Sequence, residues 1–357
     1  MRTVAACAVG ITLMASALWQ RPDAADDFRL FYRAASLAAA HQSVFSHPSL
    51  APDKNADGEF LPFARIPSYA EALRPIVLLP YAVARRTWIG VSILALAACV
   101  WLSPGRRGLA IALAFSFPVA FALVLGQDIA FVLLIALAAA RVYRSEREFA
   151  AGLVASLLAI KFTYLPAVGL VFLAKSRRGT WGLLAGTALQ FVLSFAWEGR
   201  EWPFRYLALL RHPLNDPEPR RMLSVRAVAA GLSLPAGAFI IASIALYLGF
   251  WFVCKRLNVA DALTLALPVA LIASPHCYIY DAVVLVPLLV RTASMDSWKG
   301  RLALIGLTPL PYLLVLAAAP PLVLAGSVTI VVSTLAAALR LYRLHEAPVM
   351  AWSPALA

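Results

Sequence analysis

The chain has 357 residues, 62% of them hydrophobic and only 14% charged, with 31 Lys and Arg against 18 Asp and Glu for a net charge of +13. A mean hydropathy of +0.80 excludes an ordinary soluble globular protein and implies a chain embedded in a bilayer. The basic residues fall in short clusters between apolar segments rather than along one stripe, so the charge is not that of a nucleic-acid-binding protein.

Apolar runs recur at 4–19, 87–102, 109–125, 129–142, 149–161, 164–174, 180–197, 235–253, 261–273, 279–290, 302–318 and 321–339. The expected fold is therefore an all-α polytopic membrane bundle of about twelve transmembrane helices, one membrane domain over 1–357 with larger loops at 20–86 and 198–234. Several runs fall short of the roughly 20 residues a perpendicular helix needs. These must borrow flanking residues or act as half-helices meeting inside the membrane. The first run also has the form of a signal peptide, with Ala15-Ser16-Ala17 as a cleavage-like site, and either reading delivers the chain after residue 20 to the outside. Cys7, Cys99, Cys254 and Cys277 are far apart and show no CxxC spacing, which argues against a disulfide framework or a zinc site.

The basic clusters give an orientation, because Lys and Arg are retained in cytoplasmic loops. Arg106 and Arg107; Arg141, Arg144 and Arg147; Lys175, Arg177 and Arg178; Lys255 and Arg256; Arg291, Lys299 and Arg301; and Arg340 and Arg343 fall in alternate connections. Both termini are then cytoplasmic. Arg141–Arg147 and Lys175–Arg178 share a side only if residues 149–174 cross twice.

The opposite loops carry the chemistry: Asp26-Asp27-Phe28-Arg29-Leu30-Phe31, Phe63-Ala64-Arg65-Ile66-Pro67, Gly126-Gln127-Asp128, Lys161 with Pro166, Ser224-Val225-Arg226, and Ser274-Pro275-His276 with Tyr280-Asp281. Phe28, Phe31, Tyr32, Ala35, Ala38 and Ala39 recur at helical spacing, predicting an amphipathic interfacial helix over 27–41. An aspartate at its start suits a helix cap, but a cap requires only one of the pair, which leaves the other for a substrate. Lys161 inside an apolar stretch costs about 2.5–3.5 kcal/mol on insertion scales, so it is expected to have a partner or line a cavity; snorkelling from a helix end is its bland alternative. Arg65 and Arg226 have lipid headgroup anchoring as theirs. For His276 and Asp281 it is capping a helix break or a helix start, and for Gln127 and Asp128 capping a turn.

Taken in order, these motifs, together with Arg74-Pro75-Ile76-Val77-Leu78-Leu79-Pro80, resemble glycosyltransferase family 87 of the GT-C class, similar to the polyprenyl-phosphate-mannose-dependent α-mannosyltransferases of bacterial envelopes. The resemblance covers roughly residues 1–290, and residues 300–345 read as additional C-terminal helices. It implies a plasma (inner) membrane enzyme with an extracytoplasmic active site, a polyprenyl-phosphate-linked sugar as donor and a glycan or glycolipid as acceptor. Asp27 is implied as catalytic base, with Asp26 as fallback. Tyr280-Asp281 stands where some members carry a histidine pair, and Asp128 where others have asparagine.

Such a transfer needs a carboxylate to take the acceptor proton and cations to meet the phosphate. Lys161, Arg65, Arg226 and His276 are the candidates for donor phosphate; Gln127, Asp128, Tyr280 and Asp281 are those for sugar or acceptor. No dense carboxylate cluster for magnesium is visible, so no cofactor is expected and activity should be metal-independent. A lipid-linked sugar transporter or a non-catalytic envelope-assembly subunit is the alternative, in which the acidic pair serves only as a cap.

Overall fold

A computed structural model describes residues 27–45, 63–103, 105–211 and 218–346. The run at 4–19, Cys7 and Asp26 lie outside them. The described residues form helices α1 (Phe28–Ala39), α2 (Pro67–Ala72), α3 (Tyr81–Leu102), α4 (Arg106–Ala114), α5 (Phe117–Leu125), α6 (Ile129–Arg144), α7 (Glu148–Ser156), α8 (Leu165–Lys175), α9 (Arg177–Glu198), α10 (Trp202–Arg211), α11 (Val225–Gly231), α12 (Ala236–Arg256), α13 (Val259–Ala273), α14 (Val286–Thr292), α15 (Trp298–Leu307), α16 (Leu310–Val315) and α17 (Pro320–Glu346). Short 3₁₀ turns at Leu157–Tyr164 and Ile279–Leu285 lead into α8 and α14. Among the described residues Cys99, Cys254 and Cys277 are buried free thiols.

Five stretches are long and apolar enough to cross a membrane: α3, residues 148–175, α9, α12 and α17. The pair α4 and α5, which meets at 59°, makes a sixth if counted as one broken span. The protein is a multi-pass membrane protein, with fewer full-length spans among the described residues than its apolar runs suggest. Several runs are built from short helices, and the second piece often begins with proline in its first turn: Pro118, Pro166, Pro287 and Pro311. Proline is tolerated there because the first-turn N–H has no intrahelical partner.

Length alone makes 148–175 a single span, but its contacts show that it doubles back. The Ser176 hydroxyl donates to Glu148 Oε2 at 2.6 Å, and the Tyr143 hydroxyl donates to the Lys175 carbonyl at 3.4 Å, so the two ends meet. The reversal falls at Lys161, whose backbone leaves helical geometry at φ −139°, ψ 85°. A second hairpin runs through α13 and α14, closed where Arg291 donates to Asp261 Oδ2 at 2.8 Å. The two basic clusters flanking residues 148–175 thus lie at one end of the bundle, as charge patterning required. Lys175 donates to the Lys255 carbonyl at 2.6 Å, and His345 meets Asp261 at 2.8 Å, so the ends of α12 and α17 join the same face. The turns at 126–128, 161–164 and 274–281 fall at the opposite end.

Small residues permit this close packing, as in membrane helix pairs generally. A Cβ on Gly182 would sit 2.0 Å from the Phe149 carbonyl oxygen, and one on Gly152 2.0 Å from that of Gly179. Helices α7 and α9 therefore touch backbone to backbone. The expected amphipathic helix forms as α1, but its apolar face is not laid against lipid. Phe28 and Phe31 pack against Trp88 with centroids 5.7 and 5.6 Å apart, and Phe31 also meets Phe63 and Tyr69.

Gly182→Val should force α7 and α9 apart at a cost of about 1–3 kcal/mol, the usual penalty of overpacking. The expected outcome in detergent is a lower thermal-unfolding midpoint and less monodisperse protein. The equivalent change at Gly90, where an added Cβ meets nothing within 4 Å, should be tolerated.

Candidate active site

The turn after α5 organises the site. Gly126 adopts the left-handed conformation, φ 67°, ψ 35°, and Gln127 N donates back to the Ala122 carbonyl at 2.9 Å, a helix end that glycine accommodates best. Two donors from α3 hold the turn: Trp88 Nε1 to the Gly126 carbonyl at 2.8 Å, and Arg85 to the Val124 carbonyl at 3.0 Å. The two residues that follow are then aimed at different partners.

Gln127 Nε2 donates to Asp27 Oδ2. Asp27 opens α1, yet its side chain makes no capping hydrogen bond. Of the two readings open to the acidic pair, helix capping is therefore not the one Asp27 takes. Asp26 lies outside the described residues.

Asp128 turns the other way and is fully buried. It takes a bidentate pair of hydrogen bonds from Arg65, Nε at 2.9 Å and Nη2 at 3.1 Å, while the guanidinium lies 5.8 Å from the Phe31 ring. Burial works against the charge on both groups. The pair outweighs it, so Arg65 titrates above its ordinary range and Asp128, beside Arg65 and Lys161, below the usual carboxylate range. A matched buried pair is what such a location demands.

Lys161 is not a snorkelling side chain. At the tip of the first hairpin its ammonium pairs with buried Asp281 and lies 5.3 Å from the Tyr280 ring centroid. Asp281 also accepts from Tyr278 N at 3.0 Å, which fixes the 274–281 turn. Arg226 donates to the Pro275 carbonyl at 2.6 Å and buttresses the same turn.

These elements enclose a cavity of about 510 Å³, within the range of small-molecule sites. Asp27, Gln127, Arg65, Lys161, His276 and Tyr280 all line it. Asp128, Asp281 and Arg226 are not among its lining residues. The two carboxylates stand behind the wall holding cations instead of facing a sugar, because an unpaired cation at this depth would be costly. Arg226 braces the 274–281 turn through the Pro275 carbonyl.

Other lining residues escaped sequence reasoning. Glu218 and Arg221, ion-paired at 2.9 Å, stand on the wall. Phe121, Leu125, Val315 and Leu316 form an apolar side. The last two come from the end of α16, so the C-terminal helices contribute to the cavity as well as extending the bundle. Ring stacking of Phe117 on Tyr312 and the bond from Ser327 Oγ to the Met222 carbonyl at 3.0 Å seat them there. The clue in the sequence was the broken run at 302–318, interrupted by Pro309 and Pro311. Among the described residues no three His, Cys, Asp or Glu side chains are grouped to hold a metal ion.

The Arg65–Asp128 pair yields a stability prediction. A depressed folded-state pKa stabilises above the unfolded carboxylate value of about 3.9, and that contribution disappears as pH falls through the folded value. Asp128→Asn should therefore lower the thermal midpoint clearly at pH 7, breaking a buried pair typically costing about 3–5 kcal/mol. The gap from the parent chain should narrow below pH 4, as read by unfolding in detergent across the pH range.

Comparison with known proteins gives a family match. Residues 66–275, more than half of the chain, match the model of glycosyltransferase family 87. No curated protein and no solved structure matches.

Proposed function

The chain belongs to glycosyltransferase family 87, and on that premise we propose that it moves a hexose, mannose by resemblance, from a polyprenyl phosphate to a hydroxyl of a glycan or glycolipid acceptor. The reaction takes place at the extracytoplasmic face of a bacterial plasma membrane. The observation that carries the reading is the convergence on one cavity of Asp27, uncommitted to capping, with Lys161 and Arg65.

The chemistry is a single displacement. The acceptor oxygen attacks the anomeric carbon from the face opposite the phosphate, and the bond from that carbon to the phosphate oxygen breaks. Asp27 takes the acceptor proton, and the lipid leaves as its phosphate. One carboxylate suffices, because the leaving group needs no protonation of the kind a glycosidase supplies. Lys161, Arg65 and His276 are the groups that meet the growing phosphate charge. Phe121, Leu125, Val315 and Leu316 offer the isoprenoid an apolar boundary. The basic clusters gathered at the other end of the bundle support this orientation.

Asp27→Asn in purified protein should lower kcat by about 10²-fold or more, the span of general-base contributions, while retaining binding of polyprenyl-phosphate-mannose. Turnover near that of the parent would remove the base assignment. Chelation with EDTA should leave transfer intact. Activity abolished by EDTA and restored by magnesium or manganese would show that fixed cations are not sufficient.

A further inference from the structure

Gln127 is fixed at one end only. Its Nε2 donates to Asp27 Oδ2, and the reverse orientation would set an amide oxygen against a carboxylate oxygen, so the amide is correctly placed. Its Oε1 is buried and accepts no hydrogen bond. The residue is only 6% exposed and what it exposes lines the cavity beside Asp27. A buried amide oxygen without a donor carries a free-energy cost, which the structure accepts while keeping the Nε2 hydrogen bond to Asp27.

We infer that Gln127 is the positioning residue for the base: its amide N–H fixes the rotation of the Asp27 carboxylate. The inference rests on the reading of Asp27 as base. The turn gives it precision, since Gly126 and the Trp88 bond fix the backbone from which Gln127 projects. The link also stabilises the ionised form of Asp27, because an amide N–H donates to the carboxylate in its charged state.

Among the described residues, the charged and titratable groups that line this cavity or stand behind it are Arg65 and Asp128, Lys161 and Asp281, Glu218 and Arg221, and His276, Tyr206, Tyr278 and Tyr280. The first four are tied as two ion pairs. Replacing the amide by a carboxylate therefore adds one negative charge beside Asp27, where Arg65 and Lys161 are already paired. Two carboxylates in contact do not both ionise readily, so one of their proton affinities rises strongly.

The experiment uses the full chain in membrane vesicles and follows transfer of labelled mannose from polyprenyl-phosphate-mannose across pH. Gln127→Glu, which preserves size, should fold with a thermal midpoint near that of the parent. It should lower kcat by about 10²-fold and move the acid limb of kcat/KM upward by about one pH unit or more. Gln127→Leu, which removes that hydrogen bond without adding charge, should lower kcat with a smaller upward movement of the same limb. It also serves if the glutamate variant does not fold. An acid limb at the parent's pH in either folded variant overturns the inference, even if kcat falls, because a merely structural glutamine would lower activity without moving the limb. Asp27→Asn, run alongside, separates the two failures. If that variant turns over, the base reading fails; if it is inactive while the Gln127 variants leave the limb in place, only the role of Gln127 is lost.

Discussion

A charge buried in a bilayer protein has to be matched within a few ångströms, and the arrangement of this site follows from that constraint. Among the cations on the cavity wall, Arg65 and Lys161 come from different parts of the chain, and each is matched by a carboxylate buried behind it, Asp128 and Asp281. Each match also joins two elements. The first ties the loop before α2 to the turn before α6, and the second ties the tip of the first membrane hairpin to the turn that opens the segment leading to α14. Satisfying the charges therefore assembles the site.

The turn at 126–128 links the two halves of that assembly. Gly126 ends α5 in a left-handed conformation, after which Gln127 reaches Asp27 and Asp128 reaches Arg65. The carboxylate assigned as base and one of the cations assigned to phosphate are thus set by adjacent residues of one backbone. That backbone is itself held by Trp88 and Arg85 from α3. The aromatic packing of Phe28 and Phe31 on Trp88 joins α1, which carries Asp27, to the same support. A disturbance of Trp88 would reach both groups at once.

Much of this was legible in the residues. Basic clusters at 141–147 and 175–178 required the chain between them to reverse, and the structure reverses at Lys161, where a lysine in an apolar run already called for a partner. The partner was not legible. Asp281 is 120 residues away, and local sequence showed a carboxylate as suited to start a helix or meet a sugar as to hold this lysine. Asp128 was misread for a similar reason: from sequence, a carboxylate in a loop facing the site is as suited to a sugar hydroxyl as to an arginine, and only its depth decides. The amphipathic pattern of α1 was correct, but periodicity identifies an apolar face without saying whether lipid or protein covers it. The part played by α16 was hidden because short proline-broken helices at 298–315 resemble half of an ordinary membrane hairpin.

On the proposed reaction, the pairing of both cations affects where their stabilisation is felt. A polyprenyl phosphate sugar is a phosphodiester with one negative charge, and cleavage at the anomeric carbon leaves a monoester able to carry a second. Arg65 and Lys161 already have carboxylate partners, so they gain comparatively little from the first charge, which must compete with Asp128 and Asp281 for the same N–H groups. As the bond breaks, the departing oxygen becomes a stronger acceptor and the competition shifts toward the substrate. Interactions that strengthen between ground state and transition state are the ones that raise kcat. A wall of pre-paired, rigidly held cations therefore discriminates in favour of the transition state, and does so without reorganising charge inside a low-dielectric site.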